Sequence, residues 1–345
     1  MKNHNPLLFT ICSLFRVLLL LVVALAFHRS VFAKSGLANG LVSKILFIEY
    51  YNGYTVLSMM DPGKENITPL VQVANSAYFL SLSPDGKLIA YTGRVNKHEA
   101  ILVMNVDGSH QHTVKELSGA EAFGDFSPGW AADSKRLVYA STDGQELYTI
   151  NLDGSDNQKL VLDVALSSVM VLPAGSPDDT VVMDFPAWSP DGKHIIFQAA
   201  NINETKLFIT DSDGKHTHRF SDISVGNRSD AAWSPDGTKV AFPGLPDPKN
   251  PDFRAIFVAN ADGSGAHPVT SEPSPLSPHK PVWSPDGNQI AFIDDSGIRL
   301  MNADGTNLHT LVQAKPHIVY DVTWGLVPAD LLANLPPIQT LVPTP

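Results

Sequence analysis

The feature that most constrains this chain is a five-residue phrase returning at a nearly regular interval. Trp-Ser-Pro-Asp-Gly stands at 188–192, 233–237 and 283–287, followed each time by a short apolar run: Ile195-Ile196-Phe197, Val240-Ala241-Phe242 and Ile290-Ala291-Phe292. Worn copies read Leu82-Ser83-Pro84-Asp85-Gly86 and Trp130-Ala131-Ala132-Asp133-Ser134, and a half-copy stops at Trp324. A second phrase alternates with the first: Asn105-Val106-Asp107-Gly108, Asn151-Leu152-Asp153-Gly154, Asp211-Ser212-Asp213-Gly214, Asn260-Ala261-Asp262-Gly263 and Asn302-Ala303-Asp304-Gly305, with Asp61-Pro62-Gly63 as a worn first copy.

Both phrases are turns. Pro presets the first dihedral of Ser-Pro-Asp-Gly, and the glycine of each Asp-Gly accepts positive φ. Between them lie short runs rich in β-branched and aromatic residues. Each unit of roughly 40 to 50 residues therefore holds four antiparallel strands, the signature of a β-propeller blade. Six copies predict an all-β, six-bladed β-propeller over 44–326. The chain enters with runs at 45–50, 54–60 and near Leu70, which lack an inner strand, while 319–324 is an inner strand lacking a blade. The two ends are expected to complete each other and so remove the open edge of the ring.

Composition narrows the function classes. The 345 residues carry 24 basic and 35 acidic side chains, which argues against a phosphate-coating nucleic-acid binder. Cys12 is the single cysteine, which excludes a disulfide scaffold and cysteine chemistry. Residues 17–27 form a short apolar run, and Val31-Phe32-Ala33 ahead of Lys34 offers small residues where a signal peptidase needs them. Residues 1–33 are expected to be a signal peptide, with an uncleaved membrane anchor as the alternative, 34–43 a linker and 327–345 a proline-containing tail. Either reading of the leader exports the body of the protein, as a periplasmic, secreted or surface-anchored monomer that meets the membrane only through an uncleaved leader.

The paired phrases resemble the TolB-type propellers, typified by the periplasmic TolB of the Tol–Pal envelope system, over about residues 44–324. The resemblance implies a non-catalytic scaffold that binds a protein or other envelope component. TolB carries an α/β domain ahead of its propeller, and propeller-bearing serine peptidases add a hydrolase domain. Some ten residues separate Lys34 from the first strand here and 21 follow Trp324, so neither addition is expected.

Strand alternation puts every tight turn on one face and every long insert, 161–185, 243–254 and 271–280, on the other. Functional residues collect on loops held by a rigid scaffold, so the loop face is where a site is sought. Asp125, Asp184, Asp230, His279 and Asp321 each precede an inner strand by a few residues and would lie near the channel mouth. They read either as a ring binding a divalent cation or a basic group, or as residues that start strands by bonding their own backbone. The first option supports an alternative function, a metal-dependent lyase or hydrolase. No other cofactor is implied.

His112, His218, His267 and His309 recur at one repeat position and His110 and His216 at another. This reads as descent of the repeat, because equivalent sites in different blades do not converge. The tryptophans read as packing between blades. The insert 161–185 holds an apolar run with Leu166, Val169 and Met170 and the acidic pair Asp178 and Asp179. It is expected to plug the mouth or meet a partner, unless it is an extra hairpin over the rim. No hydrolase-elbow, zincin or P-loop motif is present.

Overall fold

The computed structural model describes residues 40–51, 54–64, 66–73, 77–96, 98–117, 127–170, 180–226, 230–247, 249–250, 253–270, 277–314, 318–333 and 335. The expected leader, Asp125, Asp178 and Asp179 lie outside these residues. From residue 43 onward the described residues form one compact unit.

Six four-stranded antiparallel sheets are present. Blade 1 joins the two ends of the chain: its inner strand is β24 (Ile318–Pro328), followed outward by β1 (Leu41–Tyr51), β2 (Tyr54–Met60) and β3 (Ile67–Gln72). Blade 2 runs from β4 (Tyr78–Leu82) through β5 (Leu88–Val95) and β6 (His98–Asn105) to β7 (His112–Leu117). Blade 3 comprises β8 (Gly129–Trp130), β9 (Arg136–Ala140), β10 (Leu147–Asn151) and β11 (Gln158–Leu160). Blade 4 comprises β12 (Val182–Trp188), β13 (His194–Ala200), β14 (Thr205–Asp211) and β15 (His218–Arg219). Blade 5 comprises β16 (Ala232–Trp233), β17 (Lys239–Gly244), β18 (Ala255–Asn260) and β19 (His267–Pro268). Blade 6 comprises β20 (His279–Trp283), β21 (Gln289–Asp294), β22 (Gly297–Asn302) and β23 (His309–Gln313). Each inner strand touches the next all the way round, β24 closing on both β20 and β4.

The core is not one mass but six clusters, each lying between two neighbouring blades. Side chains alternate across a strand, so Ile45 and Phe47 of β1 pack toward blade 6 while Leu46 and Ile48 pack toward blade 2. Ile89 and Tyr91 of β5 face blade 1, and Ala90 faces blade 3. Burial on both faces explains why the second and third strands read as near-continuous apolar runs. Three of the tryptophans bond across these joints to the blade before: Trp130 Nε1 donates to the Ser81 carbonyl at 2.9 Å, Trp233 to Ala187 at 3.4 Å and Trp283 to Ala232 at 3.0 Å, while Trp324 Nε1 donates to Ser43 Oγ within blade 1.

The turn phrases act as the sequence implies. In the fullest copies Ser284 Oγ donates to Asp286 Oδ1 at 2.6 Å and accepts the Gln289 N–H at 2.9 Å, and Ser83, Ser189 and Ser234 repeat the pattern. The second phrase needs its glycine twice over. Gly305 sits at φ +85, and a Cβ there would lie 1.7 Å from the Val269 carbonyl oxygen of the preceding blade.

Two boundaries differ from the sequence reading. β1 begins at Leu41, and β24 continues to Pro328 into a short helix α1 (Ala329–Ala333). Val327 is fully buried, and Leu331, Leu332 and Leu335 pack on the cluster between blades 1 and 2, so the stretch expected to open the tail is part of the fold.

Candidate functional site

The loop-face mouth is built by the first residues of the inner strands. Three alternate blades carry a β-bulge there, with register breaks between Tyr78 and Ser81, Asp184 and Ala187, and His279 and Val282. Each bulge holds a non-glycine residue in the left-handed region: Phe79 at φ 59, Phe185 at φ 53 and Lys280 at φ 51. That conformation costs an L-residue about 1 to 2 kcal/mol and re-aims the side chain. All three stand three residues before the residue at the tryptophan position. The same offset gives Ser127, Asp230 and Asp321 in the other three blades.

Read at that offset, the mouth has two halves. On one side, Phe79 of blade 2 and Phe185 of blade 4 meet edge to face past the inner end of blade 3, ring centroids 5.7 Å apart and planes inclined at 68°. On the other, Lys280 of blade 6 lies between its neighbours, its Nζ 3.3 Å from Asp230 Oδ1 and 3.4 Å from Asp321 Oδ1. Asp321 also accepts the Leu80 N–H at 3.0 Å and the Val322 N–H at 2.6 Å, so this one carboxylate ties blades 1, 2 and 6. Burial opposes the Lys280 charge, but the two carboxylates outweigh it and hold the ammonium above its ordinary value. Burial pushes Asp321 up to about 6, with the Asp230 charge adding to the rise and Lys280 opposing it.

Of the five residues read as a mouth ring, Asp230 and Asp321 converge, and they do so on a lysine that the sequence reading passed over. Asp184 and His279 stand one residue further from their tryptophans, beside Phe185 and Lys280. A one-residue slip turns a strand side chain to the other face, so they do not join the cluster. Asp184 is buried on β12, and His279 turns its Nδ1 to the Ser277 carbonyl at 3.0 Å. Where a divalent cation would need converging oxygens, an ammonium already sits between the two carboxylates. Among the described residues no three His, Cys, Asp or Glu side chains are placed to share a metal. The signal that finds the mouth is the constant offset of three; a search for acids alone drifts between three and five.

Around this mouth the loop face is aromatic. Tyr78 and Tyr320 are 42% and 40% exposed and meet edge to face, centroids 5.9 Å apart. Tyr50, 40% exposed, and Ile318, 53% exposed, stand on the neighbouring strand β1 and two residues before Tyr320 on β24. Desolvation and the nearby Tyr78 and Tyr50 phenols raise the Tyr320 hydroxyl above its usual value.

The insert after blade 3 behaves differently from its sequence reading. Its apolar run has a core to enter: Leu166, on a 3-10 turn at Leu166–Ser168, and Met170 are 7% and 5% exposed and join the cluster between blades 3 and 4 with Met183 and Phe208. Val169 faces out, and its carbonyl accepts from Arg219 at 2.9 Å. Asp163 fastens the start of the insert by accepting the His216 and Thr217 N–H groups of blade 4 at 2.7 and 3.0 Å. A cavity of about 360 Å³ lies beside it, bordered by Glu146, Lys159, Leu166, Thr180 and Met183.

The periodic histidines also resolve. His112, His218, His267 and His309 each turn Nδ1 to the carbonyl two residues back, at 3.2, 2.7, 2.8 and 2.8 Å, closing their own hairpins.

The sequence model described as the TolB beta propeller domain matches residues 178–317. The chain is a six-bladed β-propeller similar to that of TolB. Its likeness to the Tol-Pal system protein TolB of Anaeromyxobacter dehalogenans is 29% identity over 198 residues, 55% of this chain and 39% of that protein. An uncharacterised protein of Agrobacterium fabrum is 23% identical over 248 residues, 68% of this chain and 74% of its own. The crystal structure of TolB from Acinetobacter baumannii superposes with a TM-score of 0.64 at 18% identity, covering 82% of this chain and 66% of that one. The chain thus spans well under half of that curated TolB, and a β-propeller fold is what it has in common with the TolB structure.

Proposed function

We propose that this chain is an exported, extracytoplasmic scaffold that binds a protein or other envelope component across its loop face, without catalysing a reaction. The observation that carries the reading is the mouth. Its described side chains engage one another, Phe79 against Phe185 and Lys280 between Asp230 and Asp321, while Tyr50, Tyr78, Ile318 and Tyr320 are left exposed beside it. Exposed apolar groups gathered on one face mark contact surfaces, and aromatic anchors dominate such contacts. The alternative lyase or hydrolase reading needs donors free to converge on a cation, and the two converging carboxylates are already engaged by Lys280.

The likeness to TolB supports an envelope partner, and the acidic balance of the chain supports a partner other than nucleic acid. The test is capture from a native envelope extract on the immobilised chain. Replacing both Tyr78 and Tyr320 with serine should lower retention of the captured partner at least tenfold while leaving circular dichroism unchanged, since each ring is about two-fifths exposed. Undiminished retention by that double variant would move the site off this face.

A further inference from the structure

The ionic half of the mouth is an uneven cluster. Two carboxylates, Asp230 and Asp321, share one ammonium, and the Asp321 and Lys280 side chains are only 4% and 13% exposed. Charged or titratable groups on the elements packed against β24 are Lys44, Glu49 and Tyr50 of β1, Tyr78 of β4, His279 and Lys280 of β20, Asp294 of β21, Arg299 of β22 and Asp330 of α1, which follows β24 at the opposite end from Asp321. Lys44 is engaged by Asp61, Glu49 by Ser58, Arg299 by Asp294 and His279 by the Ser277 carbonyl. Among the described residues, Lys280 and Asp230 are therefore the charges that act on Asp321.

The hydrogen bonds decide how this cluster takes a proton. Asp321 Oδ1 faces both the Val322 N–H and the Lys280 ammonium, while Oδ2 accepts from Leu80 alone. Each carboxylate oxygen has two lone pairs, so the free one belongs to Oδ2. A proton there leaves both backbone bonds in place and removes the charge that draws Lys280 toward blade 1.

We propose that Asp230, Lys280 and Asp321 form a pH-responsive clasp at the loop-face mouth. On acidification Asp321 gains a proton, Lys280 is left to Asp230, the ionic joint between blades 6 and 1 opens, and the cluster goes from one net negative charge to none. This goes beyond partner binding and stands whether or not that reading holds. The left-handed bulge that aims Lys280 at both neighbours is the structural cost of the arrangement.

The linkage has a definite sign. The folded-state value of Asp321 is about 6, above the ordinary 3.8, so between these limits the folded chain holds a proton that the unfolded chain has released. Its contribution to stability is therefore largest at low pH and is lost as pH rises toward 6. Most exposed aspartates of the turns are shifted downward and act in the opposite sense, so the test is a difference. Urea unfolding of the full chain is followed from pH 4.5 to 8 for the wild type, Asp321→Asn and Lys280→Met. Relative to Asp321→Asn, the wild-type unfolding constant should rise up to about tenfold per pH unit as pH climbs to 6 and then level off. Lys280→Met removes the compensating cation, so its levelling-off point should move above pH 6. A wild-type profile parallel to that of Asp321→Asn overturns the clasp, as does a Lys280→Met midpoint at or below the wild-type one.

Discussion

The two faces of the ring are made from the same repeat and have been used in opposite ways. On the tight-turn face one solution recurs in blades 2, 4, 5 and 6: a serine hydroxyl bridging to an aspartate at 2.6 to 2.7 Å, and a glycine backed against the preceding blade. On the loop face, equivalent positions carry unlike chemistry: phenylalanine, serine, phenylalanine, aspartate, lysine, aspartate. Repetition there would put six like groups at one narrow mouth, where like charges repel and like rings crowd. The face that holds the ring together can be uniform, whereas the face that carries a site has to be differentiated.

The largest expected effect comes from breaking what both faces depend on. A chain ending at residue 317 lacks β24, leaves blade 1 with an unpaired strand, and should lose cooperative thermal melting altogether, whereas removal of 336–345 should leave the melting point nearly unchanged. Similar melting of the two truncated chains would show that the ring does not rely on β24. Next comes a test confined to the tight-turn face. Gly305→Ala forces a methyl into the Val269 carbonyl at positive φ and should cost about 2 to 4 kcal/mol in chemical denaturation. A loss under half a kcal/mol would mean that this blade joint is soft. The smallest effect belongs to the loop face: a double-mutant cycle on Phe79→Leu and Phe185→Leu should give a coupling of about 0.5 to 1.5 kcal/mol. Additive losses would mean that the two rings touch without supporting each other.

The contrast also explains what could be read in advance. Turn chemistry is local, so Ser-Pro-Asp-Gly and Asn-x-Asp-Gly declared the strands, the six blades and the closure by β24 before any contact was known. Leu331 and Leu332 were hidden, because a helix of five residues between prolines leaves no period to detect. The mouth was half legible. Asp230 and Asp321 were named for their place ahead of an inner strand and stand together in the structure, but Lys280 between them was missed because a lysine is normally a solvated surface residue and no local signal announces a left-handed bulge at a non-glycine residue. Leu166 and Met170 were expected to plug the mouth or meet a partner because a groove between blades 3 and 4 deep enough to take them is a property of packed strands, not of either segment's own pattern.

Closure by the last strand also has a consequence in time. Trp324 Nε1 bonds Ser43 Oγ at 2.8 Å across 281 residues of chain, so the first blade to be synthesised is the last to be completed. Because every apolar cluster lies between blades, a growing chain can seal its joints in order yet must hold one unsatisfied strand edge until the end arrives. Loop-closure cost grows only with the logarithm of length, so the final pairing is slow rather than unfavourable. Such a ring acquires its closed shape only after β24 has been made.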